Sequence, residues 1–363
     1  MPENEQKRFV LPRMLSYMLR KVGSKGQFTL PADITKSGKL MFIGSGDPTD
    51  LLFAAPVVNF FKQKYPKIHT SIIVDHENVE IAKGLMKVEK VITYKKKQLR
   101  IYKTDYIAFI RRLRGYGIGT VILLGRRFSL DRYMLAFACG ARTRIGFAHP
   151  FAFPFINCEI RLSEGGYIGG KMKRIIDSIG LDTIDIPERV DLPESLLNHA
   201  RQLIHFRKPE KNVLTVGIDP SRGKTRHHVI PEIIAYLANN LAGRRKVKFL
   251  VLASPWDDRL VDKFTGYLKS EIVELVPETA IDTIALLAQC DLFLSGNTNL
   301  FHFAARLGVP TIGLFTKYDS EEWIPESAEN VRIFRGTRGE KLSLRDFFNQ
   351  VEEVLPALNG VSI

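Results

Sequence analysis

The feature that most constrains this chain is an alternation of short, uniformly apolar runs with helix-spaced segments, which breaks off near residue 207 and then starts again. Leu40–Ile43 is the first run, and residues 51–64 follow with Leu52, Ala55, Val58 and Phe61 near helical spacing. Further strand-like runs lie at 70–74, 90–94, 120–124 and 144–147, with helices predicted over 81–86, 105–114 and 130–139. Residues 148–212 are less regular, with helices predicted over 166–179 and 194–206 and a polar linker at 207–212. The second series has strands at 213–218, 248–252, 272–275, 291–295 and 310–315, and helices at 231–241, 257–268, 281–288, 300–307 and 342–358. Short runs without polar alternation are strands covered on both faces, and strands that alternate with helices make βαβ units in a parallel sheet.

A chain of 363 residues exceeds one comfortable core, so the two series read as two domains. The expected fold class is α/β, with two tandem Rossmann-like domains facing across a cleft. The expected boundaries are a basic extension at 1–38, a first domain at 39–206, a second at 213–340, and a closing helix within 341–363 that packs back toward the first domain.

The formal net charge is +14, and two stretches concentrate it. Residues 1–40 hold eight Lys and Arg against three acids, and residues 95–114 hold eight against Asp105 alone. Such patches attract polyanions: nucleic acid, anionic lipid headgroups or phosphorylated glycans. They also suit a plain solvated face. No recognition-helix, RRM or zinc signature supports nucleic acid as partner. In the extension, Phe9–Leu11 and Met14–Leu19 alternate with Lys7, Arg8, Arg13, Arg20 and Lys21, which reads as a short basic amphipathic helix. It would lie on a membrane surface or dock on the protein's own core, unless the segment is a frayed end. No apolar run approaches the roughly 20 residues that span a bilayer. No apolar h-region with a cleavage site opens the chain, and three scattered cysteines fit a reducing compartment, so the expected location is the cytosol.

In open parallel sheets, ligands bind beyond the carboxyl ends of the strands, which singles out four loops. Gly44-Ser45-Gly46-Asp47-Pro48-Thr49-Asp50 follows the first run; Asp50 either caps the next helix or acts as a general base, and Asp47 competes as the base. Ser295-Gly296-Asn297-Thr298-Asn299-Leu300-Phe301-His302 joins a strand to a helix, where free N–H groups, the Thr298 hydroxyl and two amides would suit a diphosphate. His302 would reach the same ligand or pack on the sheet. Asp219 to His228 supplies Ser221, Arg222, Lys224 and Arg226, three cations able to neutralise a leaving diphosphate. His227 and His228 have no carboxylate or cysteine at ligand spacing, so no metal site is read. Ser254 to Asp258 offers Trp256 for stacking, with Asp257 and Asp258 also placed as helix-start acids.

These residues resemble those of glycosyltransferase family 9, the lipopolysaccharide heptosyltransferases of GT-B fold, over about residues 38–355. The strongest part is Asp291 to Phe315. The family pattern there reads Asp-Ser/Thr-Gly, two residues, His, Ala-Ala, a gap, Pro and an apolar strand; Asn297-Thr298-Asn299, His302, Ala304-Ala305 and Pro310 fall in register. Asn297 stands for the family's Asp and Asn299 for its Gly. Near the start, Asp50 and Pro56 keep the family's Asp-to-Pro spacing, with Thr49 in place of Gly. Arg144-Ile145-Gly146-Phe147 resembles a family segment, whereas the Lys-x-Trp-Pro before Pro231 is replaced by His228-Val229-Ile230-Pro231.

The resemblance implies an inverting glycosyltransferase. Asp50 (or Asp47) would be the base, and Ser221, Arg222, Lys224, Arg226, Trp256, Asp258, Asn297, Thr298, Asn299 and His302 the donor contacts. It implies no cofactor and no metal, a nucleotide-diphosphate sugar such as ADP-heptose as substrate, and an anionic or lipid-linked glycan as acceptor. Peripheral association with the inner face of the cytoplasmic membrane would follow. The two asparagines also leave open a catalytically degenerate GT-B protein that binds a nucleotide sugar or glycan without transfer.

Overall fold

The structure, a computed structural model, describes residues 10–20, 29–99, 103–162, 165–182, 186–207, 213–221, 231–252, 258–269, 272, 277, 279–325, 328–335 and 343–355. The chain divides into two compact units, residues 1–164 with 169–187, and residues 165–168 with 188–363.

The first unit opens with helices α1 (Val10–Leu19) and α2 (Ala32–Ser37). Then come β1 (Lys39–Ile43), α3 (Pro48–Lys64), β2 (His69–Asp75), α4 (Val79–Leu85), β3 (Lys90–Tyr94), α5 (Thr104–Gly115), β4 (Thr120–Leu123), α6 (Leu130–Ala138), β5 (Thr143–Phe147), β6 (Cys158–Ile160) and α7 (Arg174–Ser178). The sheet is wholly parallel, in the order β3-β2-β1-β4-β5-β6. That is the doubly wound order, in which direction reverses between β1 and β4 and opens a crevice beyond their carboxyl ends. Helix α3 starts three residues before its apolar pattern because Asp47 caps it and Pro48 occupies the first turn, where a missing N–H costs nothing. Residues Thr49 to Val58 of α3 are all buried.

One face of this sheet carries a core of Met41, Ile43, Phe109, Leu113, Val121, Leu135 and Phe155, and Leu15 and Leu19 of α1 pack against it. Of the two placements read for the basic helix, docking on the protein's own core is therefore present. The helix predicted over 166–179 shrinks to a 3-10 turn at Ile168–Lys173 and α7. Gly165 and Gly166 adopt positive φ, and Gly169 and Gly170 follow, a run too permissive to hold a helix.

The edge of the first unit carries one measurable charge effect. Burial would raise the Glu89 carboxyl, but hydrogen bonds from the Lys62 ammonium and from Thr70 offset it and hold it down to about 2. A depressed carboxyl stabilises the fold above its unfolded pKa, and that stabilisation fades as pH falls through the folded value. Glu89→Gln should therefore lower the urea midpoint at pH 7, with the gap closing as pH falls to 2 and below; a gap independent of pH would contradict this pairing.

The second unit holds α8 (Glu194–Arg207), β7 (Leu214–Asp219), α9 (Pro231–Ala242), β8 (Val247–Val251), α10 (Asp258–Thr265), α11 (Ala280–Leu287), β9 (Leu292–Ser295), α12 (Asn299–Leu307), β10 (Thr311–Phe315), β11 (Val331–Arg335) and α13 (Leu344–Val354). Its sheet runs β11-β10-β9-β7-β8, again parallel, with the reversal between β7 and β9. Ile272 makes a parallel bridge to Phe249 of β8, where the sequence predicts a strand over 272–275. Residues 273–276 of that segment lie outside the described residues.

Two boundaries need correction. Helix α8, read as the end of a first domain at 39–206, belongs to the second unit, which the chain enters at Glu188. Arg306 Nη1 donates to the Glu188 carbonyl at 2.6 Å, Val190 N donates to the Arg306 carbonyl at 2.9 Å, and α8 packs along α11 with Ala200 and Ile204 buried. The closing helix, expected to pack back toward the first domain, buries its described apolar face in the second unit. Phe347, Phe348, Val351 and Val354 of α13 are buried in the second unit's core with Ile234, Leu237, Ile312 and Phe334. The amphipathic face of α13 finds the nearest open sheet face, that of its own unit.

Candidate functional site

The switch point of the first sheet is formed by the loops after β1 and β4. Gly44 begins the first loop because no side chain fits there: a Cβ would lie 2.8 Å from Val74 Cγ1 and 2.9 Å from Leu51 Cδ2. Asp47 is the N-cap of α3, its Oδ1 accepting from Thr49 N at 2.9 Å. The capping role that the sequence allows to Asp50 thus falls to Asp47, whose carboxylate is committed to the helix end.

Asp50 sits one turn further, with only 2% of its surface exposed. A carboxylate so buried needs a partner. Arg126, in the loop after β4, donates from Nε to Asp50 Oδ1 at 2.7 Å, and its Nη2 forms an ion pair with the same oxygen at 2.7 Å. Both contacts fall on one carboxylate oxygen. Arg132 Nη1 donates to Ser45 Oγ at 3.2 Å, and Asn78 Nδ2 donates to the Gly46 carbonyl at 3.3 Å. The loop is therefore held from two sides. Beyond β4 and β5, Phe128 stacks on His149 at 4.5 Å between centroids, and Phe151 stands near both. Burial pushes the His149 imidazole down from its ordinary value, which favours its neutral form. Arg126, Arg132 and this aromatic cluster were not singled out from the sequence. A search of every loop after a strand would have flagged Arg126-Arg127, which follows β4 directly.

The switch point of the second sheet lies between β7 and β9, whose ends pair Asp219 with Ser295. Thr298 is the N-cap of α12, its Oγ1 accepting from Phe301 N at 3.3 Å and sitting 2.9 Å from Ser295 Oγ. Asn299 is the first residue of α12, so its backbone is right-handed and needs no glycine. Asn297 is 3% exposed. Its Nδ2 donates to Asp319 Oδ1 at 3.0 Å, while Asp319 Oδ2 accepts from Thr316 N at 2.8 Å and Thr316 Oγ1 at 2.9 Å. A carboxylate thus stands beside position 297 although residue 297 is an amide. Asp319, after β10, was missed in the sequence because nothing local marks it.

Among the described residues, Asn297 Oδ1 and Ser221 Oγ are buried without a hydrogen-bond partner, one at the end of β9 and the other just past β7. Orphaned buried polar atoms are uncommon, and each calls for an explanation, of which an absent ligand is one. Ser221 N donates to Asp219 Oδ1 at 2.9 Å, which fixes the start of that loop.

His302 is fully buried, with Tyr167 OH 3.2 Å from its Nδ1 and the rings of Phe301 and Trp323 about it. Arg222, Lys224, Arg226 and Trp256 lie outside the described residues, and Asp258 opens α10. A cavity of about 410 Å³ is lined by Tyr167, Arg189, Arg306 and Asn330, among others, and by none of the predicted site residues among the described residues. Among the described residues, no three His, Cys, Asp or Glu side chains gather as metal ligands would, and no helix is long and apolar enough to cross a membrane.

The pairing of Asn297 with Asp319 makes a prediction. Asn297→Asp, which restores the family pattern, would set two buried carboxylates against each other. It should cost about 1–3 kcal/mol at pH 7, and less at pH 5, where one can hold a proton. Thermal melts that show no loss at pH 7 would contradict the contact.

With this geometry in view, comparison with known proteins decides the family. The model of "Glycosyltransferase family 9 (heptosyltransferase)" matches residues 107–347, roughly two thirds of the chain. The chain belongs to glycosyltransferase family 9. Its fold is shared with a family 9 glycosyl transferase from Veillonella parvula DSM 2008, at 14% identity and TM-score 0.74, covering 88% of this chain and 97% of that one. The E. coli ADP-heptose lps heptosyltransferase II matches at 15% identity and TM-score 0.70, covering 88% and 99%. The E. coli heptosyltransferase WaaC with ADP matches at 16% identity and TM-score 0.63, with the same coverage. No curated protein matches the sequence. At these identities the likeness establishes the fold, two Rossmann-like domains of GT-B type, and the family model establishes a glycosyltransferase.

Proposed function

We propose that this glycosyltransferase moves a heptose or similar sugar, with inversion, from a nucleotide-diphosphate donor to an anionic glycan acceptor. The observation that carries the reading is the Asp50–Arg126 pair at the first sheet's switch point. Arg126 occupies Oδ1 and leaves Oδ2 to accept the proton of an acceptor hydroxyl. As that O–H bond breaks, the oxygen bonds to the anomeric carbon from the face opposite the leaving group. The anomeric C–O bond breaks and its electron pair leaves with the nucleoside diphosphate.

The second unit supports the donor's half of the reading. Asn297 Oδ1 and Ser221 Oγ offer buried polar contacts, and Asp319 supplies the carboxylate that the family pattern places at position 297. The N–H groups opening α12 and the cations Arg222, Lys224 and Arg226 would take up the charge of the diphosphate, with Trp256 against the nucleoside. ADP is the first nucleotide to try, since a structural relative was solved with it. The net charge of +14 supports an anionic acceptor, and a lipid-linked one would bring the enzyme to the inner face of the cytoplasmic membrane. The asparagine at 297 keeps a second reading alive, a protein that binds the donor without transfer.

Binding is the first test. A nucleoside diphosphate at a hundredfold excess over its Kd stabilises the folded chain by about 2.7 kcal/mol, a rise of roughly 5–10 °C in melting temperature for a unit of this size. A panel of ADP, UDP, GDP and their sugars in which none raises the melting temperature would overturn the donor assignment.

A further inference from the structure

Helix α1 carries two apolar faces, and only one is used by the fold. At about 100° per residue, Pro12, Leu15, Ser16 and Leu19 share one side. Pro12 and Ser16 are buried, Leu15 and Leu19 pack on the first unit's core, and Ser16 Oγ donates to the Phe153 carbonyl at 2.8 Å. Val10, Leu11, Met14, Tyr17 and Met18 fall on a separate arc of roughly 120°. They are exposed by 62%, 46%, 50%, 76% and 64%, values unusual for five large apolar side chains in one stripe. Phe153, whose carbonyl Ser16 contacts, is itself 43% exposed. Arg13 and Arg20 lie along one edge of the stripe, both exposed.

We infer that this outward face of α1 is a docking surface for an anionic lipid bilayer. The inner face anchors the helix to the body, and the outer face is free to enter the headgroup region. Charge selects the occupant. From Lys7 to Lys25 the chain carries Lys7, Arg8, Arg13, Arg20, Lys21 and Lys25 and no acid. Helix α5, packed on the same core, exposes Arg111, Arg112 and Arg114, and Ile107 as well. An apolar stripe bordered by cations is the pattern of a helix lying in the plane of an anionic interface. A second copy of the chain fits less well, because two chains of net charge +14 repel. The inference does not depend on the sugar, the donor or the role of Asp50.

Vesicle flotation of the full chain tests it. The parent should float with phosphatidylcholine vesicles that contain phosphatidylglycerol, and binding should weaken as salt screens the cations. Leu11→Ser/Met14→Ser/Met18→Ser removes outward side chains only and should weaken binding at least about tenfold with an unchanged melting temperature. Should the triple variant not fold, Met18→Glu alone should give the same loss. Equal binding by parent and variant, binding to neutral vesicles alone, or no binding at all would overturn the inference. So would light scattering that finds the parent a dimer and the triple variant a monomer, since the face would then join two copies.

Discussion

Asp50→Asn is expected to lower kcat by about a hundred- to ten-thousandfold, the range over which a positioned general base contributes. The change is small in volume. The amide oxygen can still accept from Arg126, so the loop after β1 should keep its shape. What disappears is the capacity to take a proton. Asp50 belongs to the first unit, whereas the predicted donor contacts lie in the second. The Kd for the nucleotide should therefore be unchanged, and kcat and kcat/KM should fall together, as they do when an interaction belongs to the transition state alone. A variant that turns over within about threefold of the parent while losing several degrees of melting temperature would show the opposite: a carboxylate kept for structure.

Arg126→Ala should be the most destabilising single change at this site. Asp50 is 2% exposed, and its partner guanidinium is also nearly enclosed. Removing one member of a buried ion pair strands the other charge and typically costs about 3–5 kcal/mol. Urea unfolding should show that loss with an unchanged m-value. Arg126→Lys keeps the charge but not the two-pronged contact, so it should fall between parent and alanine variant. The double change Arg126→Ala/Asp50→Asn should recover part of the loss, because the stranded charge is gone. If Arg126→Ala costs under about 0.5 kcal/mol, the pair is effectively solvated, and surface-pair energies apply.

Much of the fold is legible because most strands are covered on both faces. β1, β2, β4 and β9 each hold three or four consecutive apolar residues, β7 and β10 are apolar but for a Thr, a Gly or a terminal Asp, and their order of appearance with helices implies the parallel sheets. β6 and β11 are edge strands, one of three residues and the other interrupted by Arg332, so neither shows that signature. The unit boundary is misplaced in the sequence reading because Arg207–Asn212 has a linker's composition, whereas the chain enters the second unit at Glu188. Membership of a helix such as α8 is settled by which face it buries against, which local composition does not encode.

The site is legible in position but not in its pairings. The loop rule leads to Asp50 and Asn297 because both follow strands that flank a switch point. Their partners are remote. Arg126 lies 76 residues from Asp50 and reaches it only because β4 pairs with β1. Asp319 lies 22 residues from Asn297 and reaches it because β10 pairs with β9. The departure from the family pattern at 297 looks like a loss in the sequence alone. In the structure it is an exchange, with the amide at 297 donating to a carboxylate at 319. Spacing could not say whether Asp47 or Asp50 caps the helix, and one contact does: the Thr49 N–H on Asp47 makes that residue the cap.

Sugar transfer itself is read out by incubating the parent chain with the nucleotide-diphosphate sugar that raises its melting temperature and with a phosphorylated lipopolysaccharide-core glycan, then following the anomeric signal by NMR. The expected result is release of the nucleoside diphosphate together with a glycan that has gained one sugar, in the anomeric configuration opposite to the donor's. A donor that binds and stabilises the protein yet is neither hydrolysed nor transferred to any acceptor would contradict it.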